Sequence, residues 1–139
     1  VETYKKLKIW LKRRKEYMAR QGESVLLVDP FVDLLVHKGW FVMKTHGNQF
    51  QEGFPDLFIS HPEYSCKWVE VKRKGHSFTT AQKKFFPILL SNNVPLYICE
   101  SDDLRGERNY DKRMRMYDKL FNPPNAAYYL IPSLRGMGI

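Results

Sequence analysis

Two short stretches with period-two alternation, residues 54–60 and 66–72, flank the turn-forming run His61-Pro62-Glu63-Tyr64-Ser65. Such alternation marks half-buried strands, and the turn residues between them make an antiparallel hairpin. A turn centred on Glu63 sets Asp56 opposite Glu70, with Cβ atoms about 4.5–5.5 Å apart. Side chains alternate across a sheet, so Phe54, Asp56 and Phe58 share a face with Trp68, Glu70 and Lys72. Leu57, Ile59, Val69 and Val71 share the other face, which must meet a core.

Two carboxylates held face to face repel. A divalent cation offsets that repulsion, and an all-oxygen donor set favours Mg²⁺ or Mn²⁺ over zinc. Lys72 lies one pleat beyond Glu70, about 6.6 Å along the strand, and points the same way. It can reach a phosphate or an attacking water, and a metal, a water and a cation together suit phosphodiester hydrolysis. The bland alternative is a surface salt-bridge ladder of Glu70 and Lys72. Against it stand the specific turn Gly53-Phe54-Pro55-Asp56 and the apolar neighbours Trp68, Val69 and Val71.

Around the hairpin, the chain reads as α-α-β-β-β-α-β-α-β, an α/β sandwich around a mixed sheet. Residues 3–20 form a basic helix with a partial apolar stripe of Leu7, Trp10, Leu11 and Met18. So narrow a stripe suits an arm lying on the domain. Asp29-Pro30 starts a helix over 30–38 with Asp29 as N-cap; residues 25–28 before it read as ambiguous, with an earlier helical turn as one option. Residues 40–43 form a strand. Thr79 or Thr80 caps a helix running to Ser91, with Ala81, Phe85, Ile88 and Leu89 on one face and a kink or early end at Pro87. A buried strand covers 96–99, a second basic helix 109–121, and an edge strand 126–131. Cys66 and Cys99 match no zinc or redox spacing, and both read as packing residues.

The 139 residues suit one domain, with 43% hydrophobic residues sufficient for a core. No run of 18 apolar residues and no signal peptide is visible. A cytoplasmic protein without a membrane partner is therefore expected. Net charge is +8, and residues 1–20 hold eight basic side chains against two acids. Such an excess points to a polyanion, most commonly nucleic acid.

The runs Gly53-Phe54-Pro55-Asp56-Leu57-Phe58-Ile59, Trp68-Val69-Glu70-Val71-Lys72 and Phe78-Thr79-Thr80-Ala81-Gln82 resemble the PD-(D/E)XK nuclease superfamily, and within it the VRR-NUC-like branch common in phage and small-replicon proteins. The resemblance covers about residues 23–100. It implies a restriction-endonuclease-like central mixed β-sheet flanked by helices, with basic N- and C-terminal extensions: a helical arm over 1–22 and a nuclease domain over 23–139. It also implies a Mg²⁺-dependent DNA endonuclease, with Mn²⁺ able to substitute. Asp56, Glu70 and the Val71 carbonyl would hold the metal. Lys72 would act on the water and the developing charge, and Gln82 matches a glutamine near the site, its plainer alternative being a helix-start residue bonding the local backbone. A further acid would come from Glu23 or Asp29, both preferred to Asp33.

Lys5, Lys8, Lys12, Arg13, Arg14, Lys15, His46, Asn48 and Lys74 are the candidate DNA contacts. Tyr4, Trp10 and Tyr17 interleave with the basic residues of the arm, so they either stack on bases or anchor the arm to the core. Basic additions of this kind fit a phage homing-type endonuclease and equally a structure-selective repair nuclease. A homo-oligomer is expected for double-strand cutting. The rival readings are an inactive DNA-binding module of the same fold and an RNA-binding basic protein. Retention of Asp56, Glu70 and Lys72 together favours the enzyme.

Overall fold

The computed structural model describes residues 1–20, 22, 24–45, 53–75 and 77–131; of residues 14–20 and 24 it describes the backbone alone. Among them, a four-stranded mixed sheet is ordered β1 (Phe41–Lys44), β2 (Leu57–His61), β3 (Ser65–Arg73), β4 (Leu96–Ser101). The first two pairings are antiparallel and β3–β4 is parallel. Helices α1 (Glu2–Arg20), α2 (Asp29–His37), α3 (Thr80–Ser91), α4 (Tyr110–Asp118) and α5 (Ala126–Leu130) accompany it. No described helix is long and apolar enough to cross a membrane.

The alternation of the hairpin decides how the layers stack. Leu57 pairs with Val69, Phe58 with Trp68 and Ser60 with Cys66, the register a turn centred on Glu63 demands. Leu57, Ile59, Val69 and Val71 are fully buried under α2, α4 and the turn before α2, beside Phe31, Leu35 and Leu120. The opposite face of β3 and β4 is covered too. Phe86, Leu96, Ile98 and Ala126 form a second core with Trp68, Phe78 and Leu89. Trp40 joins the first layer to α4 by donating its indole N–H to the Tyr117 hydroxyl at 3.2 Å.

Several elements differ from their sequence patterns. Residues 53–56 are a turn, and β2 begins at Leu57. Pro55 has no N–H to give a ladder, and the Asp56 N–H is spent on a side chain. Asp29 is not an N-cap: a π-helical turn, Ser24–Val28, runs directly into α2, so Val28 at the boundary is already helical. α3 continues through Pro87 to Ser91, with the proline exposed. Its inward residues are Gln82 and Phe86, whereas Phe85 and Ile88 are 41% and 49% exposed, so the buried stripe lies one position on from 81, 85 and 88.

Residues 126–130 form a helix instead of an edge strand. The outer edge of β4 is satisfied another way. Asn125 accepts the Ile98 N–H at 2.8 Å and donates its amide to the Ile98 carbonyl at 2.9 Å. One side chain thus replaces a paired strand residue. Cys99 is buried, its thiol pushed up to about 12 by that burial, but Cys66 is exposed on β3 and is no core residue. On α1, Leu7, Trp10 and Leu11 are each about half exposed and Tyr4 is 66% exposed, so the N-terminal half of the helix is not packed into the core.

Asn125→Ala should cost about 1–3 kcal/mol, because it leaves both main-chain groups of Ile98 without their partner. Urea denaturation of the two proteins measures this, and equal midpoints would show that the bonds contribute nothing.

Candidate active site

The site lies where β2 begins and β3 ends. Gly53 has φ +89°, and a Cβ there would fall 2.4 Å from the Phe85 ring and 3.2 Å from the Ala81 carbonyl oxygen. Only glycine lets this turn sit against the first turns of α3. Thr45 completes the cradle: its N–H donates to the Asp56 carbonyl at 2.9 Å, and its hydroxyl donates to the Pro55 carbonyl. Asp56 is thereby fixed between β1 and α3.

Glu70 Oε1 then accepts the Asp56 backbone N–H at 3.0 Å, and Asp56 Oδ2 accepts that of Val71, the residue after Glu70, at 2.9 Å. In a strand, the N–H and C=O of one residue leave on the same side, so the Val71 carbonyl is directed toward the Asp56 side of β3. Gln82 donates its amide to Glu70 Oε2 at 2.8 Å. The orientation of that amide is set locally. Its Oε1 accepts the Thr79 N–H at 3.0 Å, and the Thr79 hydroxyl accepts the Gln82 N–H at 3.1 Å, closing a capping box. Lys72 Nζ stands 3.6 Å from Glu70 Oε2 and 5.3 Å from the Phe78 ring centre.

The Glu70–Lys72 pair is not a surface ladder. Glu70 is 1% exposed and Lys72 6%. Burial, and then the Asp56 carboxylate, push the Glu70 carboxyl up from its ordinary value to about 9, with the Lys72 ammonium pulling it down.

Asp56, Glu70, Val71, Lys72 and Gln82 therefore converge. Asp29 is placed differently, on the first turn of α2 with its carboxylate 2.7 Å from Lys44 Nζ. Since Lys44 pairs with Leu57, Asp29 is on the same rim of the sheet, tied to a lysine. Asp33 lines a separate cavity with His37 and Arg105. Lys5, Lys8, Lys12 and Arg13 are exposed on α1, and Lys74 is exposed after β3. Glu23, His46 and Asn48 lie outside the described residues, as do the side chains of Arg14, Lys15 and Tyr17. Sequence reasoning missed Lys44 and the ring of Phe78. It offered two readings of Gln82, a place near the site or a helix-start residue bonding the local backbone, and the structure has both in one side chain; the Thr79-x-x-Gln82 spacing was not recognised as the capping box that joins them.

A mixed sheet whose central hairpin brings together an aspartate, a glutamate and a lysine two residues on has the architecture of a PD-(D/E)XK nuclease. The sequence model of the VRR-NUC domain matches residues 5–103, and the chain belongs to that nuclease family. The match begins inside α1 and ends just after β4. No curated protein and no solved structure shows a significant match to the chain.

The raised Glu70 carboxyl fixes a pH dependence. The metal-free folded protein holds this proton more tightly than the unfolded chain, so its contribution to stability is complete near pH 4 and is lost as pH rises toward 9. Glu70→Gln has no such proton. Between pH 5 and 8, in EDTA, the stability of the parent relative to this variant should fall by at least about 1.4 kcal/mol, the equivalent of one pKa unit. Parallel stability profiles would show that the carboxyl is not perturbed.

Proposed function

We propose that this chain is a metal-dependent endonuclease that hydrolyses phosphodiester bonds in DNA. The observation that carries this reading is the apposition of Asp56 and Glu70, each bonded to main chain beside the other, with Lys72 within 3.6 Å.

The donor set suits Mg²⁺. Among the described residues, no group of three His, Cys, Asp or Glu side chains could hold a metal. A site of two carboxylates and a carbonyl is poor for zinc, but Mg²⁺ is commonly held by one or two carboxylates together with water and substrate phosphate. Asp56, Glu70 and the Val71 carbonyl would hold it, and Mn²⁺ would substitute. Bound there, the ion would polarise a phosphoryl oxygen and offset the charge that develops in hydrolysis. Lys72 supplies a buried ammonium beside the carboxylates, which positions the nucleophilic water and stabilises negative charge in the transition state. Gln82 positions Glu70, and its own orientation is fixed by α3. Asp29 and Glu23 remain candidates for a further acid.

The basic arm supports a polyanionic substrate, with Lys5, Lys8, Lys12 and Arg13 on an exposed helix. Cutting both strands of a duplex calls for two sites, so a homo-oligomer follows if the product is a double-strand break. Exposed Phe41 and Met43 on β1, 57% and 51% accessible, offer apolar surface for such an assembly. Both a phage homing-type role and structure-selective repair are compatible with this chemistry, acting in the cytoplasm.

Incubation with supercoiled plasmid should give cleavage with Mg²⁺ or Mn²⁺ and none in EDTA. Glu70→Gln should lose metal affinity and cleavage together. Lys72→Met should keep metal binding, yet cleave about 10²–10³-fold more slowly in single turnover, the usual loss for one charge-stabilising group. Undiminished cleavage in EDTA, or a parental rate for Lys72→Met, would overturn the assignment.

The arm should act on affinity. Replacing Lys5, Lys8 and Lys12 with Gln should flatten the slope of log K against log salt by up to about 2.7, at roughly 0.9 for each duplex phosphate that is no longer neutralised. A slope equal to the parent's would exclude α1 as a DNA-binding element.

A further inference from the structure

A second basic surface lies beyond the segment matched by the family. Arg108, Lys112, Arg115 and Lys119 are spaced by four, three and four residues through the 3-10 turn Glu107–Asn109, α4 and the 3-10 turn Lys119–Phe121. That spacing aligns them along one helix face. The stripe borders two adjoining depressions of about 530 and 220 Å³, which share Asp102 and Lys112. Arg73 lines the first and Lys74 the second. The Lys74 N–H donates to the Ser101 carbonyl at 2.8 Å, so this groove is anchored where β3 and β4 end.

The groove is positive after its own acids are matched. Seven basic side chains line it against three acids. Asp102 pairs with Lys112 at 2.8 Å and Asp103 with Arg105 at 3.0 Å, and with Glu100 also counted the seven cations exceed the three acids by four. The surplus rests on exposed side chains, Arg108, Arg115, Lys119 and Lys74. From Arg108 to Lys119 the stripe runs eleven residue steps, about 16 Å along a helix at 1.5 Å per residue. A lone phosphate would engage only one part of it. A nucleic-acid strand, with roughly one charge per 3.4 Å of axis, presents several along that length. Arg73 and Lys74 directly follow Lys72 in the chain, so groove and acid pair occupy the same end of the sheet, on opposite faces of β3.

We infer that the groove between α4 and the ends of β3 and β4 is a track for the phosphate backbone of the DNA substrate, separate from α1, with its α4 wall outside the matched VRR-NUC segment. This rests on the nuclease reading above, since the track has a purpose only if DNA lies across that end of the sheet.

The test is binding of a fluorescent duplex oligonucleotide to the full chain in EDTA, at a series of salt concentrations. Three double variants are compared with the parent: Arg108→Gln/Arg115→Gln in the groove, the charge-conserving Arg108→Lys/Arg115→Lys, and Lys38→Gln/Lys67→Gln. The last loses the same charge toward the other end of the sheet. The groove variant should lower the salt slope by about 0.9–1.8, and both other variants should keep the parental slope. Equal slopes for the groove variant and the distal control would overturn the track, as would a decrease in the Lys variant equal to that in the Gln variant. A parent that cleaves DNA with Mg²⁺ while the groove variant keeps its slope refutes the track alone. A parent that neither binds nor cleaves DNA refutes the nuclease reading, and the track with it.

Discussion

Two main-chain N–H groups hold the two acids in place. The Asp56 N–H is given to Glu70, and the Val71 N–H, beside Glu70, is given to Asp56. Carboxylates this close ordinarily push apart. Here each is fixed by a main-chain donor from the other's side of the hairpin, so separating the acids means breaking the end of the hairpin. The ladder stops at Leu57 because the next N–H is diverted to a side chain. A loss of regular pairing at the sheet's end is thus the physical origin of the site.

The helix that follows is built into the same network. Gln82 serves the helix with its carbonyl and the site with its amide. A capping box alone would be content with a glutamate at this position, but a glutamate has no N–H to offer Glu70. Glutamine is the residue that can close the cap and still donate. Gly53 plays a comparable part in the backbone, since its lack of a Cβ lets the Asp56 turn lie against Ala81 and Phe85 of α3. Local helix chemistry, turn chemistry and site geometry therefore constrain one another.

The hairpin was legible in the sequence because its period of two, its turn residues and its opposed acids agree. A one-residue slip would have put Val69 and Val71 on the site's face and Glu70 in the main core, which fixes the register. What was not legible depends on partners distant in sequence or on a backbone state with no sharp signature. The edge-strand reading of 126–131 failed because Asn125 satisfies β4 from 27 residues away. Asp29-Pro30 carries a good N-cap signal, yet Ser24–Val28 is already helical and leaves no cap to make. The buried stripe of α3 was placed one position away, because an apolar count ranks Phe85 above Gln82. The tertiary structure buries the glutamine and leaves the phenylalanine at the rim against Gly53.

Burial of both faces of β3 explains why so few charges suffice at the centre. Had β3 faced water on one side, Glu70 and Lys72 would have been screened and their pairing weak. Beneath α3 and α5, the same charges sit in a poorly solvated layer, where a carboxylate is costly and resists ionisation unless a cation accompanies it. Lys72 meets only part of that demand, since its ammonium is 3.6 Å away and does not hold the Glu70 carboxyl in the ordinary range. The remaining demand for positive charge is local, directed at the Asp56–Glu70 gap. It is not met by the exposed cations of α1 and α4, which are screened by solvent over distances of about a Debye length. The chain's large positive surplus and its buried acid pair are therefore separate electrostatic devices: on the function proposed above, one would serve an extended anion at the surface and the other a compact cation within.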